Sequence, residues 1–155
     1  MMEEIKLSTG IKKIAIKDED GEVITVLSVN VADAETADKF AKIIDDLNGI
    51  SARCEAETKQ WRKEHKEDAL EGDINISLVL EMNKIRVKYL KQIVNSIEEL
   101  FGEGTMKNIY GEIVPDEDAI VEFVEQIIPV MGSLFNKRFE QMKKRYNSGR
   151  KGARA

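Results

Sequence analysis

Only two prolines, Pro115 and Pro129, fall within the 155 residues of this chain. Proline deletes a backbone donor and breaks helices, so a chain almost without it has room for long ones. Apolar residues recur at helical spacing in three stretches. In the first, Asp33 is placed to cap the free amides of Glu35 and Thr36. Ala37, Phe40, Ala41, Ile44 and Leu47 then mark one face. Gly49 is a candidate break, and beyond it Cys54, Thr58, Trp61 and His65 continue a thinner stripe toward Leu70.

Gly72-Asp73 punctuates the chain before the second stretch, where Leu78, Met82, Ile85, Tyr89, Ile93, Ile97 and Leu100 share a face. Val79, Leu90, Val94 and Phe101 widen it, and Gly102 suits the left-handed residue that ends a helix. A loop is expected from Gly102 to Pro115. The third helix is expected to begin at Asp116, with Glu117 and Asp118 in the first turn where the helix dipole favours anions. Its stripe runs through Ile120, Phe123, Val124, Ile127, Ile128, Met131, Leu134, Phe135, Phe139 and Met142. Pro129 lies inside it and predicts a kink.

The N-terminal part reads differently. Ile11, Ile14 and Ile16 precede Asp18-Glu19-Asp20-Gly21-Glu22, and Val23, Ile24, Val26, Leu27, Val29 and Val31 follow. Two β-branched runs around an Asp-Gly predict a β-hairpin, because Gly21 accepts the positive φ of a tight turn. A lone hairpin is marginal in water, so it must pack on helices or pair with a neighbour. The expected fold is mainly α with an N-terminal β-hairpin (α+β). Residues 1–146 form a single helical domain with the hairpin at 11–31, and three long helices follow, the third kinked at Pro129. Residues 147–155 read as a flexible basic tail.

Composition narrows the class. Hydrophobic residues at 42% and charged residues at 34% suit a globular helical protein rather than a disordered one. One cysteine, Cys54, excludes an intramolecular disulfide. No apolar run of a signal peptide or membrane span is present, which predicts a soluble, cytoplasmic protein. The net charge of −5 is split. Residues 137–155 hold eight Lys/Arg against Glu140, a balance of +7, and the first 136 hold 16 basic against 28 acidic side chains, a balance of −12. Such asymmetry fits an acidic body with an interaction tail.

No constellation for chemistry emerges, and the chain does not read as an enzyme. Cys54 and His65 are the only thiol and imidazole. Eleven residues apart on one helix, they would lie about 16 Å apart, too far for a nucleophile and its base. A structural zinc needs more N/S ligands than these two, so no metal or cofactor is expected. The Asp18–Gly21 turn fails as a calcium loop, since Ile16 and Leu27 would occupy the ligand positions at its ends. Gly102-Glu103-Gly104-Thr105-Met106-Lys107 fails as a phosphate loop, because it follows a helix and lacks the third glycine. Asp45/Asp46 and Glu98/Glu99 are adjacent pairs that diverge around a helix.

The third stripe carries the positive signal. Phe123, Ile127, Met131, Leu134, Phe135, Phe139 and Met142 are either core or an adaptable partner-binding ridge, since Met repacks around varied partners. As a ridge they would promote self-association or capture of an apolar helix. The basic tail would meet either an acidic partner, including a neighbouring copy, or nucleic acid. Tyr146 is the sole aromatic beside it, which weakens the case for base stacking.

At Leu100-Phe101-Gly102-Glu103-Gly104-Thr105-Met106-Lys107-Asn108-Ile109-Tyr110-Gly111 a helix ends in Phe-Gly-Glu-Gly-Thr and is followed by an apolar pair and a Gly. This segment is similar to small proteins from tail gene modules of phages and prophages of Gram-positive bacteria. With the hairpin, the charged helices, the Pro-containing apolar helix and the basic end, the layout resembles the tail assembly chaperones of long-tailed phages. The resemblance implies a non-enzymatic assembly factor without catalytic residues or cofactors. Such a protein binds the tape measure protein in the host cytoplasm, keeps its apolar helices soluble and helps recruit the tail tube protein. The family implies a homo-oligomer that is absent from the mature virion. Two other classes stay open: a structural or scaffolding component retained in a phage assembly, and a nucleic-acid-binding regulator using the basic tail.

Overall fold

The computed structural model describes residues 2–65 and 76–152. In chain order the elements are β1 (Ile11–Lys17), β2 (Val23–Asn30), α1 (Thr36–Glu64), α2 (Ile76–Phe101), α3 (Thr105–Tyr110) and α4 (Glu117–Gly152). The fold is α+β, with three long helices, one short helix and an N-terminal two-stranded hairpin among the described residues. Leu70 and Gly72-Asp73, expected to close the first helical stretch and punctuate the next, lie outside the described residues.

β1 and β2 pair antiparallel, with Ile14 opposite Leu27 and Lys12 opposite Val29. The turn is held by Asp18. Its Oδ1 accepts from the Asp20 amide at 2.9 Å and the Glu22 amide at 3.0 Å, while Gly21 takes φ +81°. Asp18 therefore serves the backbone geometry of the turn. Leu27 and Val29 face inward and are buried, whereas Ile11, Val23 and Val26 lie more than half exposed on the outside. One face of the sheet is thus seated and the other is open.

The link from hairpin to helix is tightly tied. Asn30 accepts from the Ala32 amide at 2.8 Å through Oδ1 and from the Thr36 hydroxyl at 2.6 Å through its carbonyl. Asp33 Oδ1 accepts from the Glu35 amide at 2.9 Å, and its carbonyl from the Thr36 amide. Asp33 therefore caps a turn, and the helix itself starts at Thr36. Gly49 does not break α1, which runs on to Glu64.

α1 and α2 lie antiparallel. Lys88 donates to both Glu57 carboxylate oxygens at 2.6 and 2.8 Å near one end, and Lys42 donates to Ser96 Oγ at 3.1 Å near the other. The core lies where hairpin and helices meet: Leu27, Phe40, Ile43, Ile93, Ile97, Met106, Ile120 and Met131 are among its members. The expected loop from Gly102 to Pro115 is corrected, since it contains α3. Gly102 and Gly104 take positive φ there, and Thr105 Oγ1 donates to the Gly102 carbonyl at 2.6 Å. The turn lets Met106 plug the core at 2% exposure. Tyr110 Oη donates to the Ala119 carbonyl at 3.0 Å and fastens α3 to α4.

α4 is capped by Asp116, whose Oδ1 accepts from the Ala119 amide at 2.9 Å. It continues as helix through Pro129 to Gly152. Residues 147–152, read from composition as tail, prolong this helix.

Gly10 packs where a side chain has no room. Its φ is +80°, and a Cβ there would lie 2.5 Å from the Ala32 Cβ. Gly21 has the same backbone sign with nothing within 4 Å. Gly10→Ala is expected to destabilise by about 2 kcal/mol or more, from both strain and overlap, and Gly21→Ala by about 1 kcal/mol from strain alone. Urea unfolding of the two variants checks the order.

Candidate protein-binding surface

The seven residues of the predicted ridge divide along α4. Phe123, Ile127 and Met131 are buried in the chain's own core, Met131 completely. Met131 offers no surface in the folded chain, and the expectation that it binds a partner is corrected; Phe123 and Ile127 are core residues that still line the groove between the hairpin and α4. The physical reason is that α4 is needed to cover the hairpin and α2, and the Phe101–Phe123 edge contact at 5.9 Å shows this packing. Leu134 and Phe135 are half-buried at the margin of the core, where Phe135 meets Phe40 at 6.4 Å. Phe139 and Met142 are 64% and 59% exposed, and Tyr146 is 67% exposed.

The reason for this division is length. Residues i, i+4, i+7 and i+11 of a helix share a face, so Phe135, Phe139, Met142 and Tyr146 continue the stripe that faces the core. The core ends at Phe135, but the helix goes on. Residues 137–152 add about 24 Å of helix beyond that point, at 1.5 Å per residue. They carry seven Lys/Arg against Glu140. The product is a basic helical arm whose apolar stripe has outrun the body.

A second surface lies between the hairpin and α4. A groove of about 780 Å³ is lined by Ile14, Ile16 and Ile24 from the hairpin, Ile109 and Tyr110 from α3, and Val130 from α4. Asp18, Glu19 and Glu122 add acidic groups to it, with Lys17 the one cation among its lining residues. Burial pushes the Tyr110 phenol up, and the neighbouring Glu122 and Asp116 carboxylates add to the effect. This groove was not legible in the sequence, because its walls come from residues more than a hundred positions apart.

A third feature is a cleft of about 620 Å³ between α1 and α2, whose lining includes Cys54, Thr58, Met82, Arg86 and Glu117. Arg86 donates through Nε to both Glu117 oxygens at 2.7 Å and through Nη2 at 2.6 Å. That pair holds Glu117 below the usual carboxylate range and raises Arg86. The Lys88 hydrogen bond likewise lowers Glu57. Cys54 is pushed up, first by burial and then by Glu117 and Glu57, which opposes thiolate formation. His65 stands eleven residues further on, about 16 Å along the helix axis and too far to act as base for Cys54. Its imidazole stacks on Trp61 at 4.3 Å, and Nδ1 lies 2.9 Å from the Trp61 carbonyl oxygen. Cys54 packs against the core from α1, and His65 caps the C-terminal end of that helix. The ion pairs span 31 residues in sequence, so no local spacing announces them.

Among the described residues, no group of three or more His, Cys, Asp or Glu is arranged to hold a metal ion. No helix among them is long and apolar enough to cross a membrane.

The architecture defines a class: a helical body seated under a two-stranded hairpin, with exposed apolar surface on one long helix. The chain belongs to the family of unknown function DUF6673, whose model matches residues 23–155. Comparison with curated proteins and with solved structures finds no match.

Glu117 supplies a pH prediction. Its carboxyl is held below its ordinary value of 4.5 by Arg86. A depressed carboxylate stabilises fully above its unfolded-state pKa and loses that contribution as pH falls through the folded-state value. Glu117→Gln is expected to lower stability by about 1 kcal/mol or less at neutral pH, since the pair is partly solvated. The gap between wild-type and variant urea midpoints should stay constant above pH 4.5 and close below it.

Proposed function

We propose that this chain is a non-enzymatic assembly factor that binds another protein chain, of the kind that holds the tape measure protein of a long-tailed phage and recruits tail tube subunits. One observation carries the reading. The apolar stripe of α4 continues past the end of the core, leaving Phe139 and Met142 exposed on a helix of high positive charge. Exposed Phe and Met at helical spacing on a soluble body offer a surface for an apolar helix, and Met adapts to varied shapes. The open outer face of the hairpin, with Ile11, Val23 and Val26, enlarges the apolar surface available to a partner. The raised Cys54 and the occupied His65 give no support to nucleophilic catalysis. Within this reading the protein acts in the host cytoplasm and is left out of the finished virion.

A second reading rests on the same arm. Seven cations on residues 137–152 would also meet phosphate, giving nucleic-acid affinity that falls with salt. A flat fluorescence-anisotropy response with duplex DNA at low salt removes it.

Co-expression pull-down with the tape measure protein tests the main reading. Phe139→Ser/Met142→Ser is expected to weaken capture at least about tenfold, because each buried side chain of this size contributes roughly 1.5–3 kcal/mol. The melting temperature should stay within a few degrees of wild type, since both residues lie outside the core. No capture by the wild-type chain, or capture indifferent to these changes, would sink the proposal.

A further inference from the structure

The arm and the groove carry opposite charge and matching chemistry, and a single molecule cannot join them. The groove wall includes Glu122, Gln126 and Val130 of α4 itself. The arm is the continuation of the same unbroken helix. A continuous helix cannot fold back onto its own earlier turns, so an arm can occupy this groove only on another molecule.

We infer that the basic arm of one copy docks in the acidic, apolar groove of a second copy of this chain. The arm offers Phe139 and Met142 with Lys143, Lys144 and Arg145 beside them. The groove offers the isoleucines of the hairpin beneath Asp18, Glu19 and Glu122. Acidic stretches flank the groove at the hairpin turn and at the start of α4, whereas β1 between Ile11 and Lys17 carries Lys12, Lys13 and Lys17. Residues 116–125 hold five acids and no base, and residues 18–22 hold four acids and no base. Two copies of the arm would repel each other, which disfavours arm-to-arm pairing and leaves the acidic groove as its complement. Electrostatic matching of this kind selects the partner surface and speeds encounter, while apolar contact supplies the hold. The inference rests on the arm being a protein-contact element, but it needs no phage protein. When self-docked, Phe139 and Met142 are covered, so a tape measure helix would have to displace the neighbouring copy.

Sedimentation velocity on the purified full chain tests it. Self-association is expected at about 50 mM NaCl and its loss at about 500 mM, where the screening length falls to a few ångströms. Lys143→Glu/Lys144→Glu/Arg145→Glu reverses the centre of the arm, and Glu19→Lys/Glu122→Lys reverses charges at the groove. Each variant alone is expected to sediment as monomer, with an unchanged circular dichroism melt. Mixed together they are expected to re-form the complex, because the reversed arm centre then meets the reversed groove and the native arm meets the native groove, each pair of opposite sign. Phe139→Ser gives an uncharged route to the same loss should a reversed variant fail to fold. A wild-type chain that stays monomeric at low salt overturns the inference, as do reversed variants that remain associated or fail to complement each other. Self-association with no tape measure capture would overturn the proposed function alone. Capture by a chain that is always monomeric would overturn only this inference.

Discussion

Burial of one face of the hairpin against the helices is the interaction on which the rest of the molecule depends. Two strands with no third have too little hydrogen bonding and too little apolar contact to persist in water. Here Leu27 and Val29 enter the core formed by Phe40, Ile43, Ile93, Ile97 and the first half of α4. That seat in turn requires Gly10 to approach Ala32 closely, Asn30 and Asp33 to tie the corner, and α3 to insert Met106. α4 closes this core with Ile120, Phe123, Val124, Ile127 and Met131, while Glu122, Gln126 and Val130 of the same half form one wall of the groove.

α4 therefore does two jobs in sequence along one helix. Up to Phe135 its apolar side stabilises the body, and beyond Phe135 the same side leaves Phe139 and Met142 exposed. Charge changes at the same place: acids dominate the first turns, and Lys and Arg dominate the arm. A helix that is apolar along one stripe and polar in two opposite senses along its length is suited to bridging molecules. Ion pairs such as Arg86–Glu117 and Lys88–Glu57 tie α2 to α4 and to α1.

Much of the fold could be read from local pattern. The β-branched runs around Asp-Gly marked the hairpin to within a residue or two, and Gly102 marked the end of α2. Glu117 and Asp118 marked the start of α4. Three local readings differed from the structure for identifiable reasons. Gly49 costs a helix little when its flanks pack, so α1 ran through it. The glycines of 102–111 looked like loop, yet they serve as the turns around a short helix. The Ser-Gly-Arg-Lys composition past Ser148 looked like tail, yet the chain continues α4 there. The candidate site was half legible. The apolar stripe of α4 could be read from spacing, but periodicity reports a shared face and is silent on which part of that face another element covers.

The amino-acid sequence by itself determined the element types, the order of hairpin and helices, and the opposition of an acidic body to a basic end, because these follow from spacing and composition within short windows. Only the tertiary structure decided that Phe123, Ile127 and Met131 belong to the core while Phe139 and Met142 stand in water. It alone assembled the groove from hairpin, α3 and α4. The physical reason is that burial and cavity shape depend on where distant segments meet, and α4 is longer than the body it covers.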